Sequence, residues 1–317
     1  MDTSFGRILV TGSNGLVGMA MKKLATKSCL NRFIFCDSKD CDLTNYEDTL
    51  RYVDKIHPDS IIHLAALSGG VQLSMNHPAT LLRDNSYMTL NIVEAARIHS
   101  VKKIVLTLSS GMYPESSPDP IQETFIHDGA PHISNYGYSF AKRLIEPVIR
   151  SYRSEYDMSV IGLVPNGIYG EHGNFSYEEA PMWASLIRRF HENADSERNI
   201  VIWGDGTPLR EHTYAEDIAR AFLWCLDHYD SADILNIGTT EEYSVSEIAY
   251  MIADNFNVDK SRIIFDTLKP TGIHRKSTDN SNFVSQSHFV YTPFKDGLAK
   301  TINWFKENYP NPNKIRL

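Results

Sequence analysis

Thr11-Gly12-Ser13-Asn14-Gly15-Leu16-Val17-Gly18 narrows the folds open to this chain more than any other segment. Its three glycines are spaced three apart, directly after the short apolar run Arg7–Thr11 and at the head of a helical pattern, Gly15–Thr26. A strand that enters a helix through such a loop is the opening half of a βαβ unit. Gly12 permits the tight turn, Gly15 lets the backbone approach a pyrophosphate, and Gly18 lets helix and strand pack closely. The helix start adds free N–H groups and a positive dipole, both suited to phosphate. Gly12, Ser13, Asn14, Gly15, Leu16, Val17 and Gly18 are therefore read as cofactor-binding.

The alternation continues. Phe33–Cys36, Ile61–Leu64, Ile104–Leu108 and Val160–Val164 are short, β-branched or aromatic, and bounded by turn residues, so they read as buried parallel strands. Helical patterns at Tyr46–Ile56, Pro78–His99 and Tyr138–Tyr156 lie between them. This predicts an α/β fold, a doubly wound parallel Rossmann sheet with its ligand crevice at the carboxyl ends of the strands. The second half is mixed, with helices at Pro181–Glu192, Ala215–Tyr229, Val245–Phe256 and Thr292–Asn308, and strands at Ile200–Trp203, Ile234–Ile237 and Arg262–Phe265. Gly170–Ala180 and Thr267–Ser287 read as long binding loops. The expected organisation is a dinucleotide-binding domain over 1–168, with return segments near 200–240, and a smaller substrate lobe over 169–317.

Composition sets the class of partner. Forty-two per cent apolar and 22% charged residues suit a globular protein and argue against disorder or a membrane bundle. Acidic residues outnumber basic ones, 39 to 31, and Lys and Arg form no block, so no nucleic-acid partner is expected. Cys29, Cys36, Cys41 and Cys225 form no Cys-x-x-Cys pair and no zinc spacing, which predicts buried thiols in a reducing cytoplasm and no metal site. The first strand begins too early for a secretory leader, and no apolar run is long enough to span a bilayer.

At the end of the second strand, Cys36-Asp37-Ser38-Lys39-Asp40 carries opposed signals. An acid there binds the ribose hydroxyls of NAD, whereas Ser38 and Lys39 suit the 2′-phosphate of NADP. Asp42, followed by Leu43, is placed near the adenine. Tyr138 and Lys142 share a helix face. A phenol is a poor acid–base near neutrality unless its ionised form is favoured, which a neighbouring ammonium does. Ser109-Ser110 ends the fourth strand, where a hydroxyl can hold a carbonyl oxygen that becomes an alkoxide on hydride transfer. Ser109, Tyr138 and Lys142 with the glycine loop resemble the extended short-chain dehydrogenases/reductases. His63-Leu64-Ala65-Ala66 and Asn85 fit that branch and add Leu64, Ala65 and Ala66 to the cofactor residues.

More specific stretches are Leu108-Ser109-Ser110-Gly111-Met112-Tyr113-Pro114, Asn174-Phe175, Leu186-Ile187-Arg188-Arg189-Phe190-His191, Trp203-Gly204-Asp205-Gly206-Thr207-Pro208-Leu209-Arg210-Glu211 and Asp266-Thr267-Leu268-Lys269-Pro270-Thr271-Gly272. With these, nearly the whole chain resembles the GDP-fucose synthase family, epimerase–reductases acting on GDP-4-keto-6-deoxymannose. The resemblance implies a GDP-sugar substrate, NADPH as the usual reductant and a homodimer built around Pro78–His99 and Tyr138–Tyr156. It makes Ser109, Tyr138 and Lys142 the reductase triad, and Ser110, Gly111, Asn174, Arg189, Trp203, Arg210 and Lys269 substrate-binding.

The departures carry as much information. The family's Ser-Ser/Thr-Cys-Ile-Tyr/Phe-Pro motif holds a cysteine used to epimerise carbons 3 and 5, and that position is Gly111. The family's epimerising histidine falls at Pro181. Epimerisation needs one group to remove a proton and another to return it on the opposite face, and neither residue can carry a proton. His172, Glu178 and Glu179 lie in the same loop and are the candidates for a substitute. Pro165-Asn166-Gly167 stands where the family has Pro-Thr-Asn, so a ligand contact is expected to be missing at Gly167.

The resemblance, with these departures, implies reduction, by NADPH or NADH, of the 4-keto group of a GDP-linked deoxyhexose or heptose without 3,5-epimerisation. A complete GDP-fucose synthase with rerouted epimerisation is the alternative. Asp37 alone favours an NAD-recycling epimerase or dehydratase, and Ser110, Gly111 and Met112 offer no acid to assist water loss. A non-catalytic redox sensor would not need Tyr138 and Lys142.

Overall fold

The computed structural model describes residues 6–28, 32–177, 179–269 and 274–317. Its strands are β1 (Ile8–Thr11), β2 (Phe33–Cys36), β3 (Ser60–His63), β4 (Lys103–Thr107), β5 (Ser159–Val164), β6 (Ile168–Tyr169), β7 (Ile200–Trp203), β8 (Leu209–Glu211), β9 (Thr213–Tyr214), β10 (Leu235–Asn236), β11 (Glu242–Ser244) and β12 (Ile263–Asp266). Its helices are α1 (Leu16–Ser28), α2 (Tyr46–Ile56), α3 (Val71–Asn76), α4 (Pro78–Ile98), α5 (Tyr136–Arg143), α6 (Ile145–Tyr156), α7 (Met182–Asn193), α8 (Ala215–His228), α9 (Val245–Phe256), α10 (Ser281–Ser287) and α11 (Phe294–Asn308).

The apolar runs of β1 and β3 have no polar face because both faces are covered. They lie inside a parallel sheet of order β2-β1-β3-β4-β5-β10. Leu9, Ile61 and Ile104 point to one side, into a core with Val53, Ile92 and Ile149. Ile8, Val10, Ile62 and Val105 point to the other, against Met21, Phe222 and Leu226. Successive strands cross in opposite directions from β1, so the crevice opens where β1 and β3 end. The return of the chain through α8 and β10 completes this layer. A separate core joins Trp183, Phe190, Ile248, Leu298 and Phe305 from α7, α9 and α11, with β7 paired to β12.

Three features depart from the sequence expectation. The helix expected over Tyr138–Tyr156 is two helices meeting at Leu144. Pro147 lies in the first turn of α6 and has no N–H to return to the Arg143 carbonyl. Within the stretch expected to be irregular, α10 forms because Phe283 is buried against Trp224. The short α3 and the two-residue pairs β6–β9 and β8–β11 are too brief to leave a periodic signal. Cys36, Cys41 and Cys225 are buried as expected, while Cys29 lies outside the described residues.

The two layers are joined by a buried polar network. Asn166 Nδ2 donates to Glu211 Oε2 (2.8 Å) and the Thr239 carbonyl (2.8 Å), while Thr213 Oγ1 donates to Asn166 Oδ1 (2.6 Å). Thr278 donates to Glu211 through its N–H (3.0 Å) and hydroxyl (2.8 Å). A Cβ on Gly167 would stand 2.5 Å from the Glu211 carbonyl oxygen, so this backbone has no room for a side chain there. Burial pushes the Glu211 carboxyl up to about 7, against these hydrogen bonds. The folded state therefore holds a proton that the unfolded chain releases near the ordinary value of 4.5. Stability should fall as pH rises from about 4.5 to 7, by on the order of 3 kcal/mol. Glu211→Gln should remove that slope in denaturant titrations compared across this range, and an unchanged slope would place it elsewhere.

Candidate active site

The loop after β1 has the form the glycines require. Gly12 has φ +67°, and a Cβ there would lie 2.6 Å from the Ala65 nitrogen. A Cβ on Gly18 would lie 2.5 Å from the Gly12 carbonyl oxygen, so α1 packs directly on the loop. The first-turn N–H groups of Leu16, Val17 and Gly18 have no acceptor within the helix. The buried Ser13 donates its N–H to the Cys36 carbonyl (3.1 Å), tying the loop to the end of β2.

At that end Asn14 Nδ2 donates to the Asp37 carboxylate, which also accepts the Lys39 N–H (2.7 Å). Lys22 Nζ donates to Asn14 Oδ1 (2.7 Å) and stands 5.6 Å from the Phe35 ring centroid. Sequence reasoning missed Lys22, since nothing marks one basic residue in the middle of a helix. Ser38 and Lys39 are exposed beside it. Asp42 accepts from the Thr44 N–H (3.0 Å) and hydroxyl (2.7 Å) in a local turn. Leu43 is buried in the core and its carbonyl accepts from Asn91 (2.9 Å).

The ends of β1, β3 and β4 are laced together. Thr11 Oγ1 and His63 Nδ1 are 2.9 Å apart, and Thr107 Oγ1 donates to the His63 carbonyl (2.7 Å). Lys142 Nζ donates to the Thr107 carbonyl (2.8 Å). Burial lowers Lys142 to about 8. Burial first, and the Lys142 charge second, hold His63 neutral, down to about 3. Burial raises the Tyr138 phenol above its ordinary value, and the Ser109 hydroxyl beside it draws it part of the way back. Lys142 Nζ is 5.9 Å from the Tyr138 ring centroid. Ser109, Tyr138 and Lys142 are thus brought together. Asn85 fixes the neighbouring loop by accepting the Leu67 N–H (2.9 Å) and donating to its carbonyl (3.0 Å). Leu64 packs into the sheet core, and the Ala65 N–H reaches Thr11 Oγ1 (3.3 Å).

A Cβ on Gly111 would lie 3.5 Å from Ser109 Oγ and 3.3 Å from Asn135 Nδ2. The Ser110 N–H donates to the Pro165 carbonyl (3.2 Å), which links this turn to Asn166, Glu211 and the strand that carries Arg210. A cleft of about 680 Å³ runs from Asn14, Gly15, Leu16 and Ala66 to Asn174 and Pro181. Its far wall is residues 312–316, a second feature the sequence did not announce. Arg316 pairs with Asn174, its carbonyl accepts the Phe175 N–H (2.8 Å), and Ile315 is buried beneath. Pro181 begins α7. His172 lines the cleft but packs at a tilt against Trp304 (4.6 Å between centroids), and burial lowers its pKa. Glu179 meets the Arg316 guanidinium (3.4 Å), and Glu178 lies outside the described residues.

Arg189, Trp203 and Lys269 form one patch. Arg189 donates to the Val201 carbonyl (3.1 Å), Trp203 ends β7 with 62% of its surface exposed, and Lys269 Nζ stands 5.6 Å from its ring centroid. Arg210 lies on β8 and donates to the Leu209 carbonyl (2.7 Å); burial lowers its pKa. Pro270, Thr271 and Gly272 lie outside the described residues.

The profile of the NAD dependent epimerase/dehydratase family matches residues 8–238. GDP-L-fucose synthase from Dictyostelium discoideum is 34% identical over 317 residues, covering 98% of this chain and 99% of that protein. Probable GDP-L-fucose synthase from Drosophila melanogaster is 33% identical, covering 97% and 99%. The crystal structure of a GDP-L-fucose synthetase from Naegleria fowleri bound to NADP has a TM-score of 0.91 at 30% identity, over 100% of this chain and 98% of that one. A dinucleotide loop at the switch point of a parallel sheet, a Ser–Tyr–Lys set beside it and full-length likeness agree: this chain belongs to the NAD-dependent epimerase/dehydratase family, in its GDP-L-fucose synthase branch.

Proposed function

We propose that this protein reduces the 4-keto group of a GDP-linked deoxyhexose or heptose with NADPH and leaves carbons 3 and 5 unepimerised. The observation that carries the reading is at residue 111. A Cβ there would stand 3.5 Å from Ser109 Oγ, next to the reductase hydroxyl, and the residue is glycine. Pro181, at the start of α7 and on the wall of the cleft beside the glycine loop, has no ionisable group. Reduction needs neither.

The glycine loop fits a dinucleotide, because Gly12 and Gly18 leave no side chain between the loop backbone and the start of α1. Lys22, Ser38 and Lys39 lie at the ribose end, where the Asp37 carboxylate is already engaged by Asn14 and the Lys39 N–H, and this favours the 2′-phosphate of NADPH. When bound, the coenzyme supplies a hydride for carbon 4. Ser109 holds the carbonyl oxygen and Tyr138 gives it a proton. Lys142 favours the ionised form of the phenol left behind. Ser110, Gly111 and Asn174 face the sugar, and Arg189, Trp203, Arg210 and Lys269 hold the nucleotide diphosphate. Arginine forks suit phosphate oxygens, and an exposed indole face suits a base or sugar ring. A homodimer would cover Leu82, Tyr87 and Leu90, which α4 leaves exposed.

Tyr138→Phe should lower kcat by about 10²–10⁴ while NADPH still binds, and a fully active variant would remove Tyr138 from the proton path. Because Lys142 titrates at about 8, kcat/KM should decline above that pH as the ammonium is lost. A profile flat to pH 10 would contradict the role given to it. The deciding experiment is NMR in heavy water with NADPH and GDP-4-keto-6-deoxymannose, with and without prior treatment by a separate 3,5-epimerase. The expected product of the untreated sugar carries no deuterium at carbons 3 and 5. Deuterium there, with GDP-fucose formed, would show that epimerisation survives and direct attention to His172.

A further inference from the structure

Asn135 caps α5 one turn before Tyr138, and its backbone N–H is held by the His132 carbonyl (3.1 Å). Its side chain makes no capping hydrogen bond. Among the described residues no other partner takes that amide. Its base is fixed while its tip is available. The direction of the tip is legible from Gly111: the place a Cβ would occupy is 3.3 Å from Asn135 Nδ2 and 3.5 Å from Ser109 Oγ. The amide and the serine hydroxyl therefore border the same small space, which exists because residue 111 has no side chain.

An amide offers two donors and an acceptor but no proton that moves near neutral pH. It can hold a hydroxyl without drawing a proton from the carbon that bears it. On the reading above, on which this inference rests, Ser109 holds the 4-keto oxygen, so Asn135 lies beside a carbon flanking the carbonyl. In a 4-keto-6-deoxyhexose, carbon 5 carries the ring oxygen and a methyl group, and only carbon 3 carries a hydroxyl. We propose that Asn135 hydrogen-bonds the carbon-3 hydroxyl and makes the enzyme selective for keto sugars that retain it. A site built to pair with a hydroxyl rejects an analogue lacking it, because its own polar group is then buried without a partner.

The test compares kcat/KM for GDP-4-keto-6-deoxymannose and GDP-4-keto-3,6-dideoxymannose, with NADPH, in wild type, Asn135→Ala and Gly111→Ala. The wild type should prefer the hydroxylated sugar by about tenfold or more. Asn135→Ala should abolish the preference by losing rate on the hydroxylated sugar alone. Gly111→Ala, which crowds the amide, should shift the preference the same way, and should add nothing in the Asn135→Ala background. NADPH binding by fluorescence shows that each variant keeps its folded cleft. A wild type that turns over both sugars equally, or an Asn135→Ala variant that keeps the preference, overturns this proposal and leaves the reductase reading standing. No NADPH oxidation by wild type with either sugar overturns the reductase reading and this proposal with it.

Discussion

The site is organised around the buried ammonium of Lys142. Taking a charge out of water is costly, and here it is met by the Thr107 carbonyl, a fixed backbone dipole at the end of β4. That bond sets α5 against the sheet, which in turn places Tyr138 over the Ser109 turn. The helix can come this close because a Cβ on Gly137 would stand 2.1 Å from the Pro78 carbonyl oxygen, so α5 and α4 meet backbone to backbone. Burial is the main reason that His63 stays neutral, and the same charge adds to it: a second cation one strand away would have no counter-charge to offset it. His63 is left to bridge Thr11 and Thr107, joining the glycine loop to the reacting end of the sheet.

Legibility from sequence follows from how each feature is encoded. β2, α2, β7 and α9 fall at their expected residues because apolar runs and helical periodicity are local signals. The glycine loop was legible for the same reason, since a positive φ and a close approach each demand glycine in place. Lys22, Asn135 and residues 312–316 were not legible. Each gains its significance only from a partner far along the chain, and an ordinary lysine, asparagine or polar tail carries no pattern of its own. The single helix expected over Tyr138–Tyr156 failed on Pro147, a local signal that the surrounding periodicity outweighed.

The departures from the family pattern are structurally coherent. Gly167 cannot carry a side chain against the Glu211 backbone, and the asparagine one position earlier instead ties together β9, the segment around Thr239 and Thr278. Gly111 opens a space beside Ser109 without disturbing the turn, because the turn is held by Ser109 accepting the Gly111 N–H (3.2 Å) and by Ser139 donating to the Gly111 carbonyl (2.9 Å).

The strap formed by residues 312–316 closes a cleft whose other wall is the glycine loop near the opposite end of the numbering. A chain that has formed its sheet but not yet seated Ile315 has a dinucleotide loop and no enclosed groove. Contacts of such long sequence separation are entropically late in folding. Any ligand spanning both walls binds only molecules in which the two distant segments have met, so occupancy stabilises the finished topology in preference to its partly folded precursors.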